Sequence, residues 1–200
     1  MTQTADNARQ RLDEEAIKYV LMSAREHDVK FIRLWFTDIL GMLKGFAITV
    51  DELESVLRNG ASFDGGSIDG LTRADESDMV AMPDPSTFQV LPWRPSKDAV
   101  ARLFCDIETP TGAPSEADGR QVLRRNLIRA AEMGFTFYVA PEIEYYYDTG
   151  EAEEAVLTHR SGYFDQTSLD GRGADLRRDT VLTLEQMGIP VKHSHHEVGV

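Results

Sequence analysis

The first third of the chain changes from a helical to a strand pattern of apolar positions. One helical stripe comprises Leu12, Ala16, Ile17, Val20, Leu21 and Ala24. The period then becomes two over residues 29–36, a run rich in aromatic and β-branched side chains. Residues 38–41 are typical of a turn, and 42–50 are typical of a returning strand. We therefore predict a loose polar tail over 1–10, then a helix and a β-hairpin.

Residues 49–106 continue the first domain with weaker patterns. Thr49 and Glu52 have the spacing of a capping box, which predicts a short helix that ends at Gly60. Residues 59–87 are rich in Gly, Asp, Ser and Pro without a period, so they predict a long loop that is functional or disordered. Short strands are predicted around 87–91 and 99–106. The first domain is predicted to be α+β.

A second domain is predicted after a linker at 109–119, which is rich in Pro, Gly and small polar residues. Asp118 caps a predicted helix that ends at Gly134, with an inward face of Val122, Leu123, Leu127 and Ala131. A strand over 135–147, a helix over 173–187 and a last strand over 189–200 follow. The expected organisation is a tail and helix over 1–26, one domain over 27–110, and the start of another over 111–200.

Composition and charge exclude several classes of partner. The formal net charge of −13 argues against nucleic acid and anionic membranes, which both reward clustered Lys and Arg. No apolar run approaches the ~20 residues of a membrane helix, and the polar start is not a secretory signal. The single cysteine, Cys105, fits a reducing compartment. We expect a cytoplasmic protein.

Two glutamates stand one residue apart in PEIEYYY, residues 141–147. In a strand, Glu142 and Glu144 share a face, where like charges cost free energy unless a cation lies between them. Hard oxygen ligands of this kind select Mg²⁺, Mn²⁺ or Ca²⁺. The alternative is a solvated strand face, and this strand taken alone favours it.

The last predicted strand carries a third carboxylate, Glu197, directly after His195 and His196. A zinc site is an alternative, but neighbouring strand positions do not converge on one tetrahedral centre, and no cysteine is near. Carboxylate pairs also serve glycosidases. Spacing alone does not choose among these sites.

The loop FDGGSIDG, residues 63–70, offers Asp64 and Ser67 in a frame of glycines. The glycines allow the backbone to approach a ligand closely. The loop lacks the Lys-Ser/Thr ending of a Walker-type phosphate site. An ordinary surface turn is the alternative, and the loop alone favours it.

Taken together, these motifs resemble bacterial type I glutamine synthetases. The resemblance runs from about His27 to the last residue and includes KFIRLWFTDILG. The ordered motifs are FDGGSIDG (63–70), ESDM (76–79), PDPSTF (83–88), PEIEYYY (141–147), GYF (162–164) and HHEVG (195–199). The resemblance implies a β-grasp N-terminal domain followed by the beginning of a catalytic α/β domain. It also implies glutamate, ammonia and ATP as substrates, with two or more Mg²⁺ or Mn²⁺ ions in each site.

The resemblance assigns roles to six residues. Glu144 and Glu197 resemble ligands of the inner metal, and Glu142 resembles a ligand of the metal that handles ATP phosphates. Asp64 resembles the aspartate that binds ammonium and takes its proton, reaching over from an adjacent subunit. Ser67, Tyr163 and Glu197 are implied to line the same ammonium pocket. The implied assembly is a homo-oligomer, a dodecamer of two hexameric rings with shared sites.

Two positions depart from the pattern of the family. Gly66 stands where most relatives carry serine, and Lys192 stands where an acidic nucleotide-contacting residue is common. In the family, a further metal-ligating glutamate, the metal histidine and the glutamate-binding arginines follow the position of Val200. These 200 residues alone are therefore expected to be inactive.

Three functions follow as expectations. The first is an ATP-dependent ligase that joins glutamate and ammonia through γ-glutamyl phosphate. The second keeps the fold but takes a polyamine or another amine as acceptor. The third is a non-catalytic relative with an assembly or regulatory role.

Overall fold

A computed structural model describes residues 2–68, 78–93, 97–147, 163–165 and 171–198. Side chains are described from Asp13 in the first helix and from Gly173 in the last one. The chain divides into two compact units, Met1–Phe137 and Tyr138–Val200. The predicted domain boundary after residue 110 stays a prediction.

The first unit contains three helices and a six-stranded sheet in the part of the chain that is described. The helices are α1 (Thr2–Glu26), α2 (Leu53–Asn59) and α3 (Gly119–Glu132). The strands are β1 (Val29–Thr37), β2 (Leu43–Thr49), β3 (Ala61–Asp64), β4 (Asp78–Pro83), β5 (Gln89–Val90) and β6 (Ala99–Glu108). The predicted hairpin and the strand near 99–106 are confirmed.

The sheet has the order β2-β1-β6-β4-β3, with β5 added to β6. Strands β1 and β6 pair in parallel at its centre, in the register Leu34↔Leu103. The remaining pairs are antiparallel. Helices and a mixed sheet in one unit confirm the predicted α+β class.

The core lies between the sheet and the helices α1 and α2. Every second residue of β6 is buried, namely Ala99, Ala101, Leu103, Cys105 and Ile107. Helix α1 covers this face with Ile17, Val20 and Ala24, and α2 adds Leu53, Val56 and Leu57. Each large apolar side chain so buried contributes roughly 1.5–3 kcal/mol, so the core fixes the register of the central strands.

Two predictions for the helices α1 and α2 are wrong. The polar start is helical from Thr2 rather than loose, since 2–10 contains no Gly or Pro to stop a helix. Thr49 makes no capping hydrogen bond, because a 3₁₀ turn, Val50–Glu52, precedes α2. The predicted end of α2 at Gly60 is confirmed, where φ is 73°.

The predicted long loop over 59–87 is also wrong in part. It contains the antiparallel pair β3 and β4, with Ala61 opposite Ala81. Met79 and Ala81 are buried, so β4 has a short period of two that the surrounding Asp and Ser residues obscure. Residues 69–77 of this segment lie outside the described residues.

Helix α3 begins as predicted, because the Asp118 carboxylate accepts a hydrogen bond from the Arg120 N–H at 3.0 Å. Its predicted inward face is wrong, since Val122, Leu123 and Leu127 are exposed. The helix instead contacts the sheet through polar groups of its first turns. No described element covers its apolar face.

Those polar groups form a cluster of charges at the junction of α3 and the sheet. Arg120 donates to Asp84 Oδ2 at 2.7 Å and to Asp106 Oδ1 at 2.9 Å. Arg124 lies 2.7 Å from Asp106 Oδ2. Asp118, 1% exposed, also accepts a hydrogen bond from the Ile107 N–H at 2.9 Å. We use the name junction cluster for the five charged side chains Asp84, Asp106, Asp118, Arg120 and Arg124.

The second unit is built on helix α4 (Gly171–Gln186), which confirms the predicted helix there. The strands predicted over 135–147 and 189–200 are wrong, since the described residues of both runs form no ladder. A strand requires a partner, and alternation along one segment does not supply it. Residues 148–162 and 166–170, which include parts of the predicted loop, lie outside the described residues.

Candidate functional site

The loop after β3 brings together two of the predicted pocket residues. Asp64 ends the strand, opposite Asp78 of β4. Its Oδ1 accepts a hydrogen bond from the Gly66 N–H at 2.9 Å, and its Oδ2 accepts one from the Ser67 hydroxyl at 3.3 Å. These bonds hold the carboxylate in one orientation. The site lies at the surface, since Asp64, Gly66 and Ser67 are all exposed.

In the second unit, the segment 163–165 lies against the segment 195–197. The Phe164 N–H donates to the His196 carbonyl at 3.1 Å, and the His196 N–H donates to Asp165 Oδ1 at 2.8 Å. The Tyr163 ring lies 5.2 Å from the His195 ring, centroid to centroid. The structure thus brings together two segments that carry predicted pocket residues, Tyr163 and Glu197.

Phe164 has a φ of 68°, which is uncommon for a bulky residue. Such a conformation costs about 1–3 kcal/mol and persists where the surroundings enforce it. Here its N–H is bound to His196, and its ring packs against Tyr163 at 4.4 Å and His195 at 5.1 Å. Strain of this kind is typical of segments with a functional role.

Asp165 ties this pair of segments to helix α4. Its carboxylate forms an ion pair with Arg177, whose side chain is only 11% exposed. Burial alone would raise the pKa of Asp165. The Arg177 and His196 hydrogen bonds and the Arg177 charge outweigh it, so the pKa is lowered. Asp165 therefore stays anionic at neutral pH and keeps both contacts.

The segment 141–147 is tied to the same helix through hydroxyl groups. Tyr145 and Tyr147 meet edge to face at 5.2 Å, with 3.0 Å between their phenolic oxygens. The Tyr147 oxygen lies 2.7 Å from Thr180 Oγ1 of α4. Desolvation raises the pKa of Tyr147, so the phenol remains protonated and able to donate.

Glu142 and Glu144 are exposed, and neither forms an ion pair within the described residues. One Glu197 oxygen accepts a hydrogen bond from the Val198 N–H at 3.0 Å. Three carboxylates fit Mg²⁺ or Mn²⁺ by their donor chemistry. However, in the part of the chain described, no three His, Cys, Asp or Glu side chains are grouped as a metal centre. The metal roles of Glu142, Glu144 and Glu197 stay predictions.

Sequence reasoning missed the contribution of helix α4. Arg177 and Thr180 are three residues apart, so they share a face of the helix. The sequence signal for this face is the three-residue spacing of the polar residues Arg177 and Thr180 in the run DLRRDT, residues 175–180. The interpretation of 173–187 as a helix alone did not assign that face a contact.

Two family profiles together match most of the chain. Glutamine synthetase, beta-Grasp domain, matches residues 28–110, and Glutamine synthetase, catalytic domain, matches residues 116–200. No helix among the described residues has the length and apolar content that a bilayer crossing demands.

Several curated relatives named glutamine synthetase are similar to the chain. Those of Mycolicibacterium smegmatis and Mycobacterium tuberculosis H37Rv are 50% identical over 185 residues, 90% of this chain and 41% of theirs. That of Methanosarcina mazei is 47% identical over 182 residues, 90% of this chain and 40% of its own. The chain thus spans about two fifths of the length of these relatives.

Solved structures show the same fold. A structure titled Apo GmaS without ligand has a TM-score of 0.69 at 25% identity, over 87% of this chain and 41% of that one. The Plasmodium falciparum glutamine synthetase has a TM-score of 0.71 at 21% identity, over 93% and 42%. The predicted β-grasp domain followed by the start of a catalytic domain is confirmed, and the chain belongs to the glutamine synthetase family.

Proposed function

We propose that the whole protein is an ATP-dependent ligase that converts glutamate and ammonia into glutamine. The observation that carries the proposal is the 50% identity, over 90% of this chain, to glutamine synthetases. An alignment over 90% of this chain includes parts of both matched domains. We further propose a cytoplasmic homo-oligomer, a dodecamer of two hexameric rings that share active sites between subunits.

The proposed reaction has two steps. A γ-carboxylate oxygen of glutamate attacks the γ-phosphorus of ATP, and the bond to ADP breaks, which gives γ-glutamyl phosphate. Ammonia then attacks the acyl carbon and phosphate leaves with its electron pair. The products are glutamine, ADP, phosphate and one proton. Bound Mg²⁺ or Mn²⁺, held by Glu142, Glu144 and Glu197, would neutralise charge on the phosphoryl oxygens.

Asp64 is proposed to bind ammonium and remove its proton. The carboxylate attracts the cation, and its orientation is already set by the hydrogen bonds from Gly66 and Ser67. Removal of the proton exposes the nitrogen lone pair that attacks the acyl carbon. Asp64 is proposed to act in the site of an adjacent subunit.

Ser67, Tyr163 and Glu197 are proposed to line the ammonium pocket. The pairing of 163–165 with 195–197 supports this for Tyr163 and Glu197, since both residues belong to adjoining segments of one unit. The Tyr163 ring packs against the rings of Phe164 and His195.

Phosphate release from ATP in the presence of glutamate tests the acceptor. The full-length protein would be assayed with ammonium, methylamine, putrescine and spermidine at equal concentrations. We expect turnover with ammonium to exceed turnover with every amine. If the protein turns over an amine but not ammonium, the amine is the acceptor and the proposed use of ammonia is wrong. If it turns over none of these compounds, the result supports a non-catalytic role.

Asp64→Asn tests the proposed base. Asparagine keeps an acceptor for the Gly66 N–H but removes the charge, so kcat with ammonium should fall by about 10²–10⁴-fold. Asp78→Asn is the matched control, because Asp78 is the exposed neighbour of Asp64 across the strands. Equal kinetics of the two variants would refute the role of Asp64.

A further inference from the structure

We propose that Thr180 and Tyr147 are positioning residues that fix the segment bearing Glu142 and Glu144 onto helix α4 and so set the affinity of the metal site. This inference rests on the proposed function, since it takes the two glutamates as metal ligands. Nothing in the sequence motifs assigns a role to either hydroxyl.

The direction of the hydrogen bonds follows from the last acceptor. The Thr180 hydroxyl lies 3.0 Å from the Leu176 carbonyl, and a carbonyl oxygen only accepts. The Thr180 hydroxyl therefore donates its hydrogen to the Leu176 carbonyl, and its oxygen accepts a hydrogen bond from the Tyr147 phenol at 2.7 Å. Tyr147 in turn accepts from the Tyr145 phenol at 3.0 Å. The result is a directed relay from Tyr145 to Tyr147, Thr180 and the α4 backbone.

The relay ends next to the candidate ligands. Tyr145 follows Glu144 directly, so the orientation of its phenol constrains the backbone that carries the Glu144 carboxylate. The described part of 135–147 forms no ladder with another strand. The hydroxyl relay connects this segment to helix α4 by hydrogen bonds between described side chains.

One helix face anchors both segments that carry candidate ligands. Thr180 holds the Glu144 segment, and Arg177, one turn earlier, holds Asp165 and through it the His196 backbone beside Glu197. Helix α4 is therefore placed to set the separation of Glu144 and Glu197. Groups that orient metal ligands in this way typically change metal affinity by 10–100-fold when they are removed.

The relay can be cut at two points with matched controls. Tyr147→Phe removes one phenol from the relay, whereas Tyr146→Phe removes the neighbouring phenol, which is 70% exposed and has no hydrogen bond among the described residues. Thr180→Val removes the hydroxyl at constant shape, whereas Thr180→Ser keeps it. These four variants separate the hydroxyl groups from the bulk of the side chains.

The measurement is titration of the full-length protein with Mn²⁺ alone, with free Mn²⁺ followed by electron paramagnetic resonance. We expect Tyr147→Phe and Thr180→Val to raise the dissociation constant of the tight site by about tenfold or more, while Tyr146→Phe and Thr180→Ser match the parent. Equal dissociation constants in all four variants would overturn the inference. So would a loss that occurs only with reduced helical circular dichroism.

Glu144→Ala separates this inference from the proposed function. If Glu144→Ala leaves Mn²⁺ binding intact, the proposed metal site is wrong, and the positioning role with it. If Glu144→Ala abolishes tight binding but Tyr147→Phe and Thr180→Val do not weaken it, only the positioning role is wrong.

Discussion

Replacing Arg120 with methionine removes the cation at the centre of the junction cluster. Arg120 is 31% exposed, and its partners Asp84 and Asp106 are 25% and 11% exposed. Methionine keeps most of the volume and the helix propensity of the side chain. The variant therefore tests the charge and its hydrogen bonds rather than the packing of α3.

The magnitude follows from what remains after the change. A hydrogen bond to a charged group is worth roughly 1.5–3 kcal/mol, and Arg120 makes two of them to carboxylates. Asp106 keeps its ion pair with Arg124, and Asp84 keeps the hydrogen bond from the Ser86 hydroxyl at 2.6 Å. Neither carboxylate is therefore left without a polar partner. Because the Arg120 side chain is 31% exposed, solvent screens part of these interactions, and we expect the junction to lose about 2 kcal/mol of stability.

Native-state hydrogen exchange of the full-length protein measures this loss locally. The informative amides are those of Ile107, which donates to Asp118, and Val122, which donates to the Asp118 carbonyl. A loss of about 2 kcal/mol predicts roughly 30-fold faster exchange at both positions. Arg125→Met is the control, because Arg125 is exposed on the same helix and forms no ion pair among the described residues.

The pH dependence gives the same prediction a second readout. Burial alone would raise the pKa of Asp84, but hydrogen bonds from Ser86 and the Arg120 charge outweigh it, so the pKa is lowered from 3.8. A lowered carboxyl pKa adds stability that is present above pH 3.8 and is lost as the pH falls through the folded value. Arg120→Met should weaken this acid-induced loss. Exchange rates and acid profiles equal to those of Arg125→Met would refute the reasoning.

Three further predictions concern the first unit. Gly60→Ala should lower the free energy of unfolding by more than about 2 kcal/mol, because φ is 73° and a Cβ would collide with strand β4. In the control Gly41→Ala, φ is 79° but the Cβ meets no atom, so the cost should be about 1 kcal/mol. Equal thermal shifts in the two variants would contradict this. Cys105 is buried, which raises its pKa to about 12, so iodoacetamide at pH 8 should alkylate it only in denaturant, and peptide mass spectrometry that finds native labelling would show otherwise. Asp118→Ala should cost about 2–3 kcal/mol by removing a helix cap and leaving the Ile107 N–H unpaired; an unchanged urea midpoint would exclude this.

The elements that sequence patterns predicted correctly find their partners inside the same compact unit. The alternation over 29–36 and 99–106 reports a buried face, and β1 and β6 pair with each other. The runs 135–147 and 189–198 alternate in the same way but form no ladder among the described residues. A period of two predicts which side chains share a face, but pairing depends on a second segment.

The candidate site shows the same difference between local and distant contacts. Asp64 and Ser67 are three residues apart, so the glycine-framed loop was enough to predict them as one feature. The contacts that organise the second unit join Asp165 to Arg177 and Tyr147 to Thr180, which are 12 and 33 residues apart. No local spacing rule connects such pairs, so only the three-dimensional structure identifies the role of α4.

The central claim is tested most directly by following oxygen from glutamate labelled with ¹⁸O in its γ-carboxylate. The full-length protein would be given this glutamate with ATP, Mg²⁺ and ammonium, and the released phosphate analysed by mass spectrometry. Transfer through γ-glutamyl phosphate predicts one ¹⁸O atom in each phosphate and one in the amide carbonyl of glutamine. Phosphate without ¹⁸O, or no labelled glutamine at all, would contradict the proposed ligase.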